Sequence, residues 1–497
     1  MYTLGYDLGS SFVKAALMDI GTGSCVASAS FPDQEMLIHS SRPGWAEQDP
    51  ASWWNAIRQV TARLASRSSV PLQSVGAIGI SYQMHGLVLV DREGSSLRPS
   101  IIWCDSRATE IGRSAFSRIG ERRCLGEMLN SPGNFTASKL RWVKENEPDV
   151  YGRAYKMLLP GDYIALRMTG EFTTTVSGLS EGILWNFPAN TIAKTLMEAY
   201  GFRDDLVAQT VPSTGEQGRL TAPAAAELGL TPGTPVTYRA GDQPNNALSL
   251  SVLEPGEVAA TAGTSGVVYA VTDTLASDPR SRINSFAHIN HTPASPRVGI
   301  LLCINGTGIA NSWIRRIASG GALTYDEMNR AASGAPVGSR GIVCLPFGNG
   351  AERMLGNRDP GAHILGLNFN VHSAPELFRA VQEGVAFAFV YGIDLMRSLK
   401  TSPRILRAGA ANMFLSPIFR STLASTAGVS IELFNTDGAQ GAARGAAIGA
   451  GAVSAASGAF RGLQRIASVE PDRETGPYRD AYAVWHDRLT SLFLKEG

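Results

Sequence analysis

Two short turns of similar composition, one in each half of the chain, carry residues that can bind phosphate. Gly9-Ser10-Ser11 stands between Asp7 and Lys14, and Gly263-Thr264-Ser265 stands in the second half. Extended segments flank both turns, which predicts two β-hairpins. Backbone N–H groups of such turns can bind phosphate oxygens, and Asp7 at a strand end can hold Mg²⁺ through water. Each turn alone is also typical of an ordinary hairpin, but the pair predicts a nucleotide held from both sides of a cleft.

The third candidate is a carboxylate that follows an apolar segment. Asp242 comes directly after residues 236–241, which read as a strand that ends at Gly241. Active sites of α/β proteins gather at the carboxyl ends of strands, so Asp242 is a candidate general base. Aspartate is also a good helix N-cap, and the residues alone leave these two interpretations equal.

Two further segments contain the side chains that a sugar pocket uses. Tyr82-Gln83-Met84-His85-Gly86 and Trp103-Cys104-Asp105-Ser106-Arg107 combine polar groups for hydroxyls with an aromatic face for C–H bonds. The simpler interpretations are a turn histidine with a local hydrogen bond at His85, and a surface ion pair between Asp105 and Arg107.

A run of small residues precedes a predicted helix in the second half. Ala408-Gly409-Ala410-Ala411-Asn412 would let a flat ring approach the backbone closely. The same run is typical of a tight turn between a strand and a helix, with Asn412 as the N-cap.

The elements that must position these residues alternate between strands and helices, which predicts an α/β fold. The recurrence of a strand–turn–strand pattern from residue 258 suggests a duplicated architecture. Helices are predicted at residues 110–123, 148–166 (broken at Pro160), 375–398, 414–427 and 438–457, with a terminal helix beyond about residue 475 that turns Trp485 and Leu489 inward. Strands are predicted at residues 2–7, 12–19, 75–82, 87–91, 236–240, 258–262, 267–271, 404–407 and 429–434.

Composition narrows the class of protein. A chain of 497 residues is too long for one core, so two large domains are expected. The formal net charge of +1 gives no electrostatic reason to expect nucleic acid or a membrane as partner. Five scattered cysteines and the lack of an apolar run of about 18 residues predict a cytoplasmic protein.

The segments together resemble the FGGY family of carbohydrate kinases over residues 1 to about 457. Residues 135–146, which include Lys139 and Trp142, are similar to the first signature of the family, and residues 362–367 with 376–384 are similar to the second. Asn134 and Gln382 are unusual at their positions in these signatures. Cys104 and Gln243 depart from the residues that the family's xylulose-phosphorylating members usually carry.

The resemblance implies two ribonuclease-H-like domains with the active cleft between them. The implied domains are residues 1–248, which bind sugar and carry the first hairpin, residues 249–457, which bind nucleotide, and a helical extension at 458–497. The implied activity is ATP-dependent phosphorylation of a ketopentose, with D-xylulose favoured by the Gln83-Met84-His85-Gly86 motif. Kinases for ribulose, a deoxy-ketose or a sugar acid are alternatives, and an actin- or chaperone-like ATPase is less favoured. Implied partners are ATP, Mg²⁺ and a small sugar, with a homodimer left open.

The resemblance also implies a role for each candidate residue. Asp242 would be the general base, and Asp7 and Asp242 would hold Mg²⁺. The implied sugar ligands are Gln83, Met84, His85, Trp103, Asp105 and Asp242. The implied nucleotide ligands are Gly9, Ser10, Ser11, Lys14, Gly263, Thr264, Ser265, Gly409, Ala410 and Asn412.

Overall fold

The computed structural model describes residues 1–453 and 458–494. In the first half, the strands are β1 Tyr2–Leu8, β2 Val13–Asp19, β3 Ser24–Phe31, β4 Glu47–Gln48, β5 Val75–Tyr82, β6 Val88–Val90, β7 Ser100–Ile101, β8 Lys156–Leu158, β9 Thr173–Thr175, β10 Trp185–Asn186, β11 Thr191–Ile192, β12 Gln209–Val211 and β13 Val236–Gly241. The helices are α1 Pro50–Arg67, α2 Thr109–Ile119, α3 Glu121–Glu127, α4 Thr136–Asn146, α5 Pro148–Arg153, α6 Pro160–Thr169, α7 Val176–Glu181, α8 Lys194–Tyr200, α9 Ala222–Leu228 and α10 Asp242–Ser249.

In the second half, the strands are β14 Glu257–Ala262, β15 Gly266–Thr272, β16 Asn284–Ala287, β17 Val298–Ile304, β18 Val343–Phe347, β19 Gly361–Leu365, β20 Ile405–Gly409, β21 Ser430–Phe434 and β22 Arg465–Val469. The helices are α11 Gly308–Ser319, α12 Tyr325–Ser333, α13 Ala374–Ser398, α14 Pro417–Ala427, α15 Gly438–Gly449 and α16 Gly476–Leu489.

The main sheets of the two halves share one topology. The first sheet has the order β13-β5-β1-β2-β3, in which β13, β5 and β1 are parallel and the β1–β2–β3 meander is antiparallel. The second sheet repeats this as β21-β20-β14-β15-β17, with β22 and β16 added at its edges. The suggested duplication of a strand–turn–strand unit is therefore confirmed at the level of the whole sheet.

The helix that follows the last parallel strand of each sheet lies between the two sheets. These helices, α10 and α15, pack against each other, and α15 also covers β1 and β5 of the first half. A side chain at Gly5 would overlap the backbone of α15 at Ala439, so the glycine and the small residues of the helix permit this close approach. The predicted close packing of a small-residue helix on a sheet is confirmed. The helix ends at Gly449 rather than Ser457, and residues 454–457 of that prediction lie outside the described residues.

The edge strand β16 joins the second sheet to the first half through side chains. The amide of Asn130 makes two hydrogen bonds with the backbone of Ser285, at 2.6 and 3.0 Å. The hydroxyl of Ser177 donates to the carbonyl of Ala287, and the hydroxyl of Ser180 accepts from its N–H. These bonds satisfy backbone groups that an edge strand would otherwise leave unpaired, so the two halves meet in a fixed seam.

Several predicted elements differ in detail from the structure. The predicted helix 110–123 is divided at Gly120, whose φ of 99° ends α2 and begins α3. The predicted helix 148–166 contains β8, because residues 156–158 pair with β6. The long helix at 374–398, the left-handed Gly428 after α14, and the burial of Trp485 and Leu489 confirm their predictions. No helix within residues 1–453 and 458–494 is long and apolar enough to cross a membrane.

Candidate active site

Three of the candidate motifs follow neighbouring parallel strands of the first sheet. Asp7 is in register with Ser81 on β5, and Ser81 is in register with Ala240 on β13. The carboxyl ends of β1, β5 and β13 therefore lie side by side, and each leads directly into one motif. The first phosphate turn, the Gln83-Met84-His85 segment and Asp242 therefore lie at one edge of the sheet.

Asp242 occupies the first position of α10, and Gly241 is the N-cap. The alternative that Asp242 is the cap of this helix is therefore wrong. Burial and the charge of Asp7 raise the pKa of Asp242 to about 7, although hydrogen bonds from Gln243 act in the opposite direction. A carboxyl group that titrates near neutrality has the proton affinity that a general base needs.

Asp7 lies at the same edge of the first sheet, next to the N-terminus of α15. The hydroxyl of Ser81 donates to Asp7 Oδ1 at 2.7 Å. Burial raises the pKa of Asp7, with opposing effects from Ser81 and Lys14 and a further increase from Asp437. A side chain at Gly438 would overlap the carboxylate of Asp7, so the helix start comes very close to it. Asp437 caps that helix by accepting from Gln440 N at 2.9 Å.

The described residues contain no group of three or more His, Cys, Asp or Glu side chains that could hold a metal ion alone. Asp7 and Asp242 nevertheless suit Mg²⁺, which commonly combines one or two protein carboxylates with phosphate oxygens and water. Two carboxylates in one buried site repel each other, as the raised pKa of Asp242 indicates. A divalent cation would relieve that repulsion, so the donor set fits the metal.

His85 has an unusual backbone conformation, and its surroundings determine the protonation of its ring. Its φ of 62° is unusual for a residue other than glycine. The Nδ1–H donates to the carbonyl of Glu181 at 3.0 Å, which leaves Nε2 as an acceptor. Burial and the charge of Lys139 lower the pKa of His85 to about 3, so the ring is neutral at pH 7. A neutral imidazole can accept a hydrogen bond from a sugar hydroxyl.

A chain of hydrogen bonds connects the first phosphate turn with the sugar segments. The Gln83 amide donates to Gln48 Oε1 at 3.2 Å, and the Gln48 amide donates to the carbonyl of Ser10 at 2.7 Å. The indole N–H of Trp103 donates to Ser10 Oγ at 3.3 Å, while 47% of the residue surface stays exposed. The side chains predicted for sugar and for phosphate are thus coupled directly.

Asp105 is placed differently from the other predicted sugar ligands. It has no exposed surface, and its carboxylate accepts from the N–H of Ala46 at 2.6 Å and from Arg107. The Arg107 guanidinium lies 3.8 Å from the ring of Trp45 and 4.8 Å from the ring of Trp142. The interpretation of Asp105 and Arg107 as a surface pair is wrong because both side chains are buried. These contacts leave Asp105 no free face toward the cleft.

The second turn lies against a helix N-terminus that the sequence analysis missed. The N–H of Gly308 donates to the carbonyl of Gly263 at 2.7 Å, which places the start of α11 beside the turn. A methyl group at Gly263 would lie 3.7 Å from the amide of Asn412, so the turn and the small-residue loop 409–412 are neighbours. Ser416 caps α14, and Asn412 does not, so the N-cap alternative for Asn412 is wrong. The run of small residues at 306–308 after a strand was the available signal for this helix start.

Two buried ionisable groups near His85 were also missed. Lys139 has no exposed surface, donates to the carbonyls of His85 and Ile102 at 2.8 Å each, and has a pKa that burial lowers to about 7. Glu181 is fully buried beside Gly241 and Met84, and its carboxyl oxygens make no hydrogen bond of ordinary geometry. Burial, Asp242 and Asp162 raise the pKa of Glu181 well above its usual range. Lys139 stands in the first family signature, but the sequence did not reveal that it or Glu181 contacts His85, because these contacts are tertiary.

Comparison with known proteins places these features in a family. The N-terminal domain model of the FGGY family of carbohydrate kinases matches residues 2–249, and its C-terminal domain model matches residues 258–454. The chain is 31% identical to the xylulose kinase of Escherichia coli K12 over 89% of this chain and 88% of that protein. It is 29% identical to the L-xylulose/3-keto-L-gulonate kinase of the same organism over 99% of this chain and 97% of that protein. The crystal structure of a "xyloylose kinase" from Brucella ovis has a TM-score of 0.89 and 28% identity, and covers 99% of each chain.

Proposed function

The chain belongs to the FGGY family of carbohydrate kinases, and from this premise we propose that it transfers the γ-phosphate of ATP to a hydroxyl of D-xylulose. The observation that carries the proposal is the position of Asp242 at the end of β13. There it lies beside Met84 and Asp7, with a pKa of about 7 that burial and Asp7 produce. A base of this strength next to polar side chains for hydroxyls suits the activation of a weakly acidic sugar hydroxyl.

The proposed reaction divides the work among the residues of the cleft. Asp242 takes the proton from the attacking hydroxyl, while His85 Nε2 accepts a hydrogen bond from another hydroxyl and orients the sugar. The backbone N–H groups of the two turns hold the phosphates, with Lys14 beside the first turn. Gly409, Ala410 and Asn412 line the space for the adenine. Asp7 and Asp242 would hold Mg²⁺, which would supply positive charge to neutralise the phosphates.

D-xylulose is favoured over other sugars by two lines of support. The Gln83-Met84-His85-Gly86 motif resembles that of xylulose kinases, and xylulose kinases are among the most similar relatives. The similarity to an L-xylulose/3-keto-L-gulonate kinase supports a second candidate, a keto-sugar acid or the L-enantiomer. Cytoplasmic location and a homodimer stay predictions.

A coupled assay of ADP release tests the proposed function. The purified protein with Mg²⁺ and ATP is given D-xylulose, L-xylulose, D-ribulose, a 3-keto-sugar acid, gluconate and glycerol in turn. We expect the highest kcat/KM with D-xylulose, and sugar-dependent release about 10²–10⁴-fold slower from Asp242→Asn. If another substrate gives a higher kcat/KM, that substrate replaces D-xylulose in the proposal. If no sugar stimulates the release of ADP, the kinase proposal is overturned.

A further inference from the structure

An arginine of the second half reaches into the wall of the proposed sugar pocket, which belongs to the first half. Arg353 lies in a 3₁₀ turn at Glu352–Leu355. Its Nη1 donates to Ser131 Oγ at 3.1 Å, and its guanidinium lies 4.5 Å from the centre of the Phe135 ring. A side chain at Gly133 would overlap Nη2, so the glycine makes room for the guanidinium.

This arginine is half-buried, and no carboxylate pairs with its charge among the described residues. No Asp or Glu oxygen among the described residues lies within 4.0 Å of its guanidinium nitrogens. Burial lowers the pKa of Arg353 to about 10, which still leaves it charged at pH 7, and Glu352 acts only at longer range. Removing a cation from water is costly when no carboxylate compensates, so the contact is a poor device for stability alone. The aromatic ring and one hydroxyl are what hold the charge.

The Phe135 ring continues the contact to the sugar segment. Phe135 meets the ring of His85 edge to face, with centroids 4.7 Å apart. Phe286, on the edge strand β16 of the second half, packs on both rings, with centroids 5.3 Å from His85 and 5.9 Å from Phe135. Arg353, Phe135 and His85 thus form a continuous series of contacts. It starts in the second half and ends at the imidazole that would face the sugar in the first half.

His85 needs such support because its backbone is strained. A φ of 62° persists in a residue with a side chain only where the surroundings fix it, and a small displacement of Nε2 would misdirect its hydrogen bond. Lys139 holds the carbonyl of His85, and Glu181 holds its Nδ1–H. The face of the ring is held by Phe135 and Phe286 alone among the aromatic contacts of the described residues.

We propose that Arg353 is a positioning residue for the sugar site, which acts through Phe135 to fix the orientation of the His85 imidazole. The second half would then contribute to sugar recognition as well as to nucleotide binding. The inference rests on the proposed function, since it concerns the KM for the sugar.

Steady-state kinetics of four variants test this inference with D-xylulose, or with the best sugar found above. We expect Arg353→Met and Phe135→Leu each to raise the KM for sugar about tenfold and to leave the KM for ATP within about twofold, as the loss of a desolvated cation–π contact implies. Because both act through one contact, the double variant should resemble Phe135→Leu alone. Arg353→Lys keeps the charge and should recover part of the lost affinity, and it carries the test if Arg353→Met fails to fold.

Arg315→Met is the matched control. Arg315 lies 4.6 Å from the centre of the Tyr325 ring within the second half, away from His85, so its loss should leave the KM for sugar unchanged. An unchanged KM for sugar in both Arg353 variants overturns the proposal, and so does a double variant in which the two effects multiply. If the wild-type protein phosphorylates no sugar, the proposed function fails. If the wild-type protein is active but the Arg353 variants keep the wild-type KM for sugar, the positioning role alone fails.

Discussion

Burial raises the pKa of Asp242, and the charge of Asp7, from which β5 separates it, raises this pKa further. Asp7 lies near the end of β1, Asp242 follows β13, and β5 lies between these strands in the sheet. Ser81 on β5 donates to Asp7, and nothing comparable from β5 reaches Asp242. The hydroxyl of Ser81 therefore orients the carboxylate of Asp7, which suits a metal ligand. Asp242 has a pKa near neutrality, which suits a base.

The first prediction concerns the pH dependence of the reaction. Because a base must be deprotonated to act, kcat/KM for the sugar should rise with pH through an apparent pKa of at most about 7, since Mg²⁺ held by Asp7 and Asp242 would relieve part of the repulsion between them. Asp7→Asn removes a negative charge next to Asp242, so the rise of kcat/KM with pH (the acid limb of the profile) should move to lower pH even if the maximal rate falls. The pH profile of kcat/KM in both proteins is the measurement. Asp33→Asn, which removes an exposed carboxylate paired with Arg63, should leave the limb in place.

The second prediction separates the base from a structural residue. Asp242→Asn should lower kcat by about 10²–10⁴-fold, the usual contribution of a general base. The folded-state pKa of about 7 lies above the ordinary value near 3.9, so the folded protein binds a proton that the unfolded chain has released between these values. The stability that this proton provides is present below about pH 4 and lost as the pH rises toward 7.

Asparagine cannot ionise, so Asp242→Asn does not lose that stability as the pH rises from about 4 toward 7. Relative to the wild type, Asp242→Asn should be more stable at pH 8 than at pH 5, as Tm values at the two pH values would record. A near-normal kcat, or a relative stability that falls between pH 5 and 8, would contradict the assignment.

The sequence predicted those parts of the site that depend on strand ends. Asp7 lies at the end of one readable strand, Met84 and Asp242 come after two others, and parallel strands bring their carboxyl ends to one edge. The boundaries of elements were less predictable where tertiary pairing decided them. Residues 156–158 became a strand only because β6 offers a partner, which no local pattern reveals.

The unpredicted parts of the site come from contacts distant in sequence. Arg353 meets Phe135 although the two residues belong to different halves of the chain, and Gly438 reaches Asp7 because α15 packs on the first sheet. Asp105 was assigned to the sugar from its residue type, but Ala46 and Arg107 take its oxygens. Only the three-dimensional structure could reveal which carboxylate has a free face and which one is already used.

The third prediction concerns the second phosphate turn. A Cβ atom at residue 263 would lie no closer than 3.7 Å to the atoms of other segments, so a side chain here begins without a clash. Gly263→Val should nevertheless weaken ATP binding about tenfold or more, because its methyl groups would stand between the turn and the phosphates. Calorimetric titration of ATP and of sugar would measure this. Tm and sugar affinity should stay unchanged, and an ATP affinity equal to the wild type would contradict the nucleotide role of the turn.

The last prediction decides between two roles for Asp105. If this residue supports the fold, Asp105→Ala should lower the free energy of unfolding by about 3–5 kcal/mol, because it leaves the buried Arg107 with Glu47 as its remaining ion-pair partner. If it were a sugar ligand, the variant would keep its stability and lose affinity for the sugar. Urea unfolding, together with kcat/KM measured well below the Tm of the variant, separates the two.

We expect the large loss of stability, with kcat/KM of the folded protein changed only a few-fold, because the carboxylate has no exposed surface and its oxygens are already bonded. Glu110→Ala is the matched control: Glu110 pairs with Arg113 at 2.9 Å, but both side chains are more than half exposed, so its removal should change stability by about 0–1 kcal/mol. A stable Asp105→Ala variant with a raised KM for sugar would return Asp105 to the sugar pocket. It would also mean that Ala46 and Arg107 release the carboxylate when the sugar binds.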